Sequence, residues 1–341
     1  MIKEISSLRF IFIFFIFLHH VALFKGGGSM AVAFFFVLGG FGMTLGYREK
    51  NLASDFSYKS FVKKRFIKFY PLHWICLLAA VPFVILNFKW WQIPNFLLNA
   101  LLVQSWIPLQ QVYFSYNAVA WYLADTVFFA LVFPPLLKFI IKTSVRNNLL
   151  FAVTIAISYT LLIILLPEKF YHAIFYINPL VRTVDFVIGI YLALLFLKLQ
   201  ENKGTKLFVK SKHILLHIVC ILLVAGLIFI SNILTENQRT MAVFYWLPIT
   251  LLIITTSLLG VNNNGGYLSM RWLVKLGECS FVFFMIHQLV IRYFDAFFKK
   301  IIHFDNHIVF VVICLTTTIL LSLLTIKYIL NPVTKWITQK I

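Results

Sequence analysis

Apolar runs close to 18 residues long recur from one end of this 341-residue sequence to the other, parted by short basic loops. Hydrocarbon offers no partner to a backbone N–H or C=O, so segments of that kind cross a bilayer as self-satisfied helices. Their unbroken apolar character excludes the residue-by-residue alternation of a membrane barrel. No polar interval is long enough to bury a core of its own. The sequence therefore predicts one all-α polytopic membrane domain over 1–341, without a separate soluble domain.

Ten spans are expected, near 8–24, 31–48, 70–88, 117–140, 148–166, 178–197, 213–231, 241–260, 277–298 and 307–330. One strongly basic loop holds Arg48, Lys50, Lys59, Lys63, Lys64, Arg65 and Lys68, and another holds Lys198, Lys203, Lys206, Lys210 and Lys212. The positive-inside bias places both on the cytoplasmic side. The stretch 95–107 is too short and too close to proline for a full crossing, and counting it would put Lys138, Lys142 and Arg146 outside. It reads as a re-entrant or interfacial segment. Both termini are then cytoplasmic, and Lys299 and Lys300 fall on the outer side against the charge bias.

The formal net charge of +19 sits in loops beside the spans and not on a soluble basic face. These cations are topology signals and headgroup contacts, which excludes nucleic acid as a partner. Gly26-Gly27-Gly28 leads from the first span straight into the second with no small-residue cleavage site, so the first span is a retained helix and not a signal peptide. Cys76, Cys220, Cys279 and Cys314 are scattered singly among apolar residues and read as small hydrophobes. No metal-binding signature, phosphate loop or dinucleotide fingerprint is present, so no metal is expected.

Ionisable residues inside the spans are the candidates for function, because each costs several kcal/mol in lipid unless it is partnered or wet. Arg9 and His20 share the first span, roughly 16 Å apart in depth. Counted from the basic side, His20, His287, Asp125 and Asp185 all fall about 15 to 20 Å deep, in one layer. Two imidazoles and two carboxylates at one level suit proton handling, with either Asp125 or Asp185 as the partner that orients a histidine. His73 is a further member of the polar set, while His19 points about 100° away from His20 as a packing or lipid-edge residue. Arg182 and Asp185, three apart, can pair as a structural clip or a substrate contact. Arg65 and Lys68 sit at helical spacing at the mouth of the third span and can clamp a phosphorylated ligand. Gly39, Gly40, Gly42 and Gly46 give the second span a small-residue face for helix packing.

Six blocks carry a resemblance: Leu8-Arg9 through His20, Phe35 through Phe41, Arg65 through Pro71, Trp121 through Asp125, Arg182 through Gly189, and Ser280-Phe281 through His287. In that order they resemble the acyltransferase type 3 family, integral membrane O-acyltransferases that modify bacterial surface polysaccharides among other acceptors. The resemblance implies essential roles for Arg9 and His20, a contribution of Arg65 and Lys68 to holding an acyl-coenzyme A donor, and acylation of the acceptor at the far side of the membrane. Gly39 stands where the family usually has serine, Lys68 where a second arginine is common, and Asp125 and Asp185 where glutamate is frequent. Lys68 then binds phosphate as a point charge without a bidentate fork.

The expected activity is transfer of an acetyl or other short acyl group from coenzyme A to a hydroxyl of an envelope glycan or its lipid-linked precursor, in a bacterial cytoplasmic membrane. His20 is expected as general base, with His287 and Asp125 beside it, and Arg9 at the donor or the developing oxyanion. Two other classes fit the same residues: a proton-coupled transporter or flippase, against which the missing internal repeat counts, and a non-catalytic subunit of a glycan-assembly complex.

Overall fold

The computed structural model describes residues 2–86, 88–303 and 306–339, with the side chains of 300, 302 and 337–339 outside that description. The chain is helical, and no strand occurs among the described residues. α1 (Lys3–His20) turns back at Val21–Gly26 into α2 (Gly27–Leu52), and α3 (Tyr58–Ile85) returns to the far end. There α4 (Gln92–Ala100), a 3-10 turn (Gln104–Trp106) and α5 (Gln110–Tyr113) form a short hairpin. The bundle continues through α6 (Ala120–Lys142), α7 (Val145–Leu165), α8 (Pro179–Glu201), α9 (Lys203–Ile233), short α10 (Glu236–Thr240) and α11 (Val243–Val261). Short α12 (Arg271–Glu278), α13 (Ser280–Phe297), α14 (His307–Thr325) and α15 (Asn331–Gln339) complete it.

Nine helices among the described residues are long and apolar enough to cross a membrane. α1 is the tenth long helix; it has 18 residues but carries Lys3, Glu4 and Arg9. Every expected span coincides with one of these ten, and the chain is a multi-pass membrane protein. Several boundaries differ because the apolar run alone undercounts a helix: α3 begins twelve residues before the expected 70, through the basic stretch from Tyr58, and α9 begins at Lys203, with a break in helical geometry at Lys212. The expected re-entrant segment is the α4 hairpin. Its Asn95, Asn99, Gln104 and Ser105 side chains are buried. His73 belongs to this anchor, with its Nε2–H directed at the Asn99 carbonyl 2.8 Å away.

The charged helix is the central one. α1 buries Leu8, Phe12, Ile13, Ile16 and Phe17 against α2, α11, α12 and α13. Arg9 and His20 are thus largely covered by protein, which is what allows them in this helix, while His19 is exposed. By contrast α7 buries only Tyr159 among its described residues, and α9 buries only Val209, Cys220, Leu227 and Ser231. Those two helices present most of their surface outward.

Glycine sets the closest crossings. A Cβ on Gly40 of α2 would lie 2.0 Å from the Phe186 carbonyl oxygen, and one on Gly189 of α8 would lie 1.9 Å from that of Val37. The two helices meet backbone to backbone, as small residues permit in membranes. Gly277 does the same for α12 on α1, against the Ser6 carbonyl at 1.7 Å. The expectation that Gly39, Gly40, Gly42 and Gly46 all serve packing is corrected: Gly42 and Gly46 face open space, and a Cβ on Gly39 would meet nothing closer than 3.8 Å. The four cysteines are free and buried. Ile2 and Thr334 line one cavity, so both ends of the described chain lie at the same end of the bundle. Lys299, at the other end, pairs with Asp295 at 2.7 Å; the Lys300 side chain lies outside the described residues.

Candidate active site

The space left by Gly39, Gly42 and Gly46 is a cavity of about 1410 Å³ at the basic end of the bundle. α3 contributes Lys64, Arg65 and Lys68 to its wall, and α1 contributes Arg9 at greater depth. Arg65 stacks over Tyr47 at 4.4 Å and Phe61 at 5.1 Å. Its Nε and Nη2 are buried with no hydrogen-bond partner among the described residues. A guanidinium held against two rings with free donors is poised for an anion. Lys68 lies within electrostatic reach of both Arg65 and Arg9. The carboxylate of Glu278, also on the wall, lies near Arg9.

The cavity ends on an aromatic wall. Tyr122 lines it and stacks on Phe36 at 4.7 Å. The far face of Tyr122 meets Phe284 at 4.8 Å, and Phe284 lies 5.9 Å from the ring of His287. One ring therefore separates the vestibule wall from the imidazole. α13 carries both Phe284 and His287, and α6 carries Tyr122, so the wall is set by the packing of those helices on α2.

Behind the wall His287 and His20 face each other, with ring centroids 5.0 Å apart. The Nδ1–H of His287 donates to the Phe284 carbonyl at 2.7 Å, with the Phe283 carbonyl at 3.3 Å. Those carbonyls can only accept, which assigns the proton to Nδ1 and leaves a lone pair on Nε2. That Nε2 is buried without a partner among the described residues, and so is Nδ1 of His20. The arrangement is a fixed base facing a second imidazole. His19 stands on the other side of His20, exposed, its ring 5.3 Å from that of His20 and against Gly28.

Asp125 and Asp185 lie with Arg182 and not with the histidines; the expected four-residue cluster divides in two. Arg182 Nη2 pairs with Asp185 Oδ2 at 3.0 Å, while Asp185 Oδ1 accepts from the Trp246 indole N–H. The same guanidinium lies 4.8 Å over Phe36, and its Nη1 donates to the Phe175 carbonyl at 3.4 Å. Asp125 is fully buried within reach of Arg182 and the Ser105 hydroxyl. Neither of its oxygens has a hydrogen-bond partner among the described residues. Neither aspartate orients a histidine: backbone carbonyls of α13 do so instead. Phe36, shared between Arg182 and Tyr122, divides the two clusters, because α2 inserts an aromatic where depth counting alone puts every polar residue at one level.

Tyr122 and Glu278 were not singled out from the sequence. Tyr122 lies within a resemblance block, one helical turn before Asp125, and its place on the wall follows from that spacing. Glu278 ends a helix too short and polar to stand out as a span, and only the crossing of α12 over α1 brings it to Arg9.

A multi-pass helical membrane protein with a cationic vestibule, one aromatic ring away from an imidazole pair, is the class these features define. The chain belongs to the acyltransferase type 3 family, its residues 2–327 matching the acyltransferase domain. It is 28% identical over 290 positions to the acyltransferase MdmB of Streptomyces mycarofaciens, an alignment covering 78% of this chain and 69% of that protein. No solved structure matches the chain. It is an enzyme that transfers acyl groups.

Proposed function

We propose that this protein is an O-acyltransferase of a bacterial cytoplasmic membrane, moving an acetyl or other short acyl group from coenzyme A to a hydroxyl of an envelope glycan or its lipid-linked precursor. The observation that carries the reading is the lone pair of His287 Nε2, one ring beyond a cationic vestibule in which Arg65 Nε and Nη2 have no partner among the described residues. Arg65 and Lys68 hold the phosphates of the donor at the mouth, and Arg9 meets it deeper in. The roughly 16 Å of α1 between Arg9 and His20 separates these roles, so Arg9 contacts the donor and not the oxyanion at the imidazoles.

A sugar hydroxyl is a poor nucleophile at neutral pH and needs a base. In this mechanism the His20–His287 pair takes the hydroxyl proton as the oxygen bonds to the thioester carbonyl carbon. The C–S bond then breaks, coenzyme A leaves as a thiolate, and the proton passes from the imidazole to that sulfur. Neutral imidazole in a site shielded from water serves this step.

The test is purified protein in proteoliposomes with labelled acetyl-coenzyme A inside and glycan acceptors outside. Label on the acceptor is expected. Solute uptake or donor hydrolysis without any acceptor labelling, across a panel of envelope glycans, would sink the reading.

A further inference from the structure

A second cavity, of about 570 Å³, opens at the end of the bundle opposite the vestibule. α3, the α4–α5 hairpin and the outer half of α13 form its walls. Two cations, Lys89 and Arg292, line it together with the amides of Gln92, Asn95, Gln111 and Gln288, and no carboxylate does among the described residues. We propose that this cavity is the acceptor site and that it takes a saccharide bearing an anionic group, carboxylate or phosphate, held by Arg292 and Lys89; the proposal rests on the acyl-transfer reading above.

Arg292 is positioned without being neutralised. Its Nη1 donates to the Tyr116 carbonyl at 2.8 Å, and its guanidinium lies 4.1 Å over the Phe83 ring. Among the described residues it makes no ion pair. Those contacts fix the orientation of a fork suited to carboxylate or phosphate. Lys89 is exposed, 4.9 Å over the Trp91 ring, and likewise has no ion pair among the described residues. Tyr116 adds no negative charge: its hydroxyl donates to the Gln92 carbonyl at 2.8 Å, and burial pushes its phenol up. Two cations around one cavity without a carboxylate call for an anion from outside, and the amides between them suit hydroxyl groups.

Position ties this cavity to the imidazoles. Gln288 follows His287 directly in sequence, and Arg292 lies one turn farther out on α13. The anion point is then about 7.5 Å along the helix axis from His287. A sugar anchored by its charge at Arg292 reaches inward with a hydroxyl of the same or the adjoining ring. The donor's phosphates and the acceptor's anion thus occupy separate cation sites at opposite ends of the bundle.

Full-length protein in phosphatidylcholine nanodiscs would be titrated with a glucuronate-containing tetrasaccharide, its carboxyl-reduced neutral counterpart and a polyprenyl phosphate, with binding read by native mass spectrometry. One anionic probe is expected to bind about tenfold tighter than the neutral one. The uronate as the tighter ligand identifies a glycan carboxylate, and the polyprenyl phosphate a lipid-linked acceptor. Lys89→Gln and Arg292→Gln should each weaken that probe about tenfold while leaving acetyl-coenzyme A binding unchanged. Equal binding of charged and neutral probes, or undiminished anion affinity in Lys89→Gln, whose side chain is exposed over Trp91, overturns the proposal. Because the readout is binding, intact anion selectivity in a protein that transfers nothing would sink the transfer reading alone.

Discussion

His20 and His287 come from helices at opposite ends of the sequence, yet their rings stand 5.0 Å apart, each with one buried nitrogen that has no partner among the described residues. Two imidazolium ions at that distance would repel strongly in a low-dielectric interior. The pair therefore holds at most one extra proton, and the backbone carbonyls on Nδ1 of His287 decide which nitrogen is free to take it. In the proposed mechanism the fixed base is His287, and His20 is the neighbour with which it shares the proton.

That assignment makes one substitution diagnostic. His287→Asn keeps an amide N–H near the place of Nδ1 but removes the Nε2 lone pair. Acetyl transfer should fall by about 10²- to 10⁴-fold, the usual contribution of a positioned base, with membrane accumulation and donor affinity unchanged. Quantifying labelled acceptor beside acetyl-coenzyme A binding in the same preparation checks it. Transfer within threefold of wild type would move the base elsewhere.

Arg65 offers a forked donor pair and Lys68 a point charge, so they should fail differently. Arg65→Lys keeps the charge and loses both the fork and the stack on Tyr47. Its donor affinity should drop about tenfold, the loss of a charge-assisted hydrogen bond, whereas Lys68→Arg should bind at least as well as wild type. Equilibrium binding of acetyl-coenzyme A to each variant decides between this clamp and a purely topological role for the basic loop.

Arg182 and Asp185 are predicted to act as a structural clip. Arg182→Met strands the buried Asp185 and Asp125 carboxyls and should cost about 3–5 kcal/mol. The double variant Arg182→Met, Asp185→Leu should recover part of that loss, since two well-packed apolar residues replace a buried ion pair at little penalty. Thermal unfolding in detergent compares the three proteins. A stable Arg182→Met protein that has lost transfer would instead make the pair a substrate contact.

The ten long helices were legible in the sequence because bilayer thickness and backbone hydrogen bonding leave an apolar run of that length little choice. Arg9, Arg65 and Lys68 were found for a related reason: charge near a membrane face stands out, and all three line the vestibule. Which polar residues meet was not legible. Depth counting placed Asp125 with His20, but depth carries no information on rotation about each helix axis. Phe36 turns inward between the two clusters and assigns the aspartates to Arg182. The tautomer of His287 was invisible as well, since its orienting partners are backbone carbonyls that every residue possesses.

The glycines of α2 give the last prediction, because neighbours of one composition have opposite surroundings. Gly40→Ala places a methyl 2.0 Å from a backbone oxygen of α8, and Gly189→Ala does so from the other side at 1.9 Å. Backbone cannot swing away as a side chain can, so each should force the helices apart and cost about 1–3 kcal/mol, the range for overpacking. Gly42→Ala and Gly46→Ala meet nothing within 4 Å and should leave stability unchanged. Enlarging the same two positions to phenylalanine fills the vestibule and not the core. Gly42→Phe and Gly46→Phe should therefore unfold at the wild-type temperature while binding acetyl-coenzyme A at least about tenfold more weakly, a loss of roughly 1.4 kcal/mol. Thermal unfolding and donor titration on the six variants test packing and occupancy separately; full donor affinity in Gly42→Phe would mean that coenzyme A does not enter beside α2.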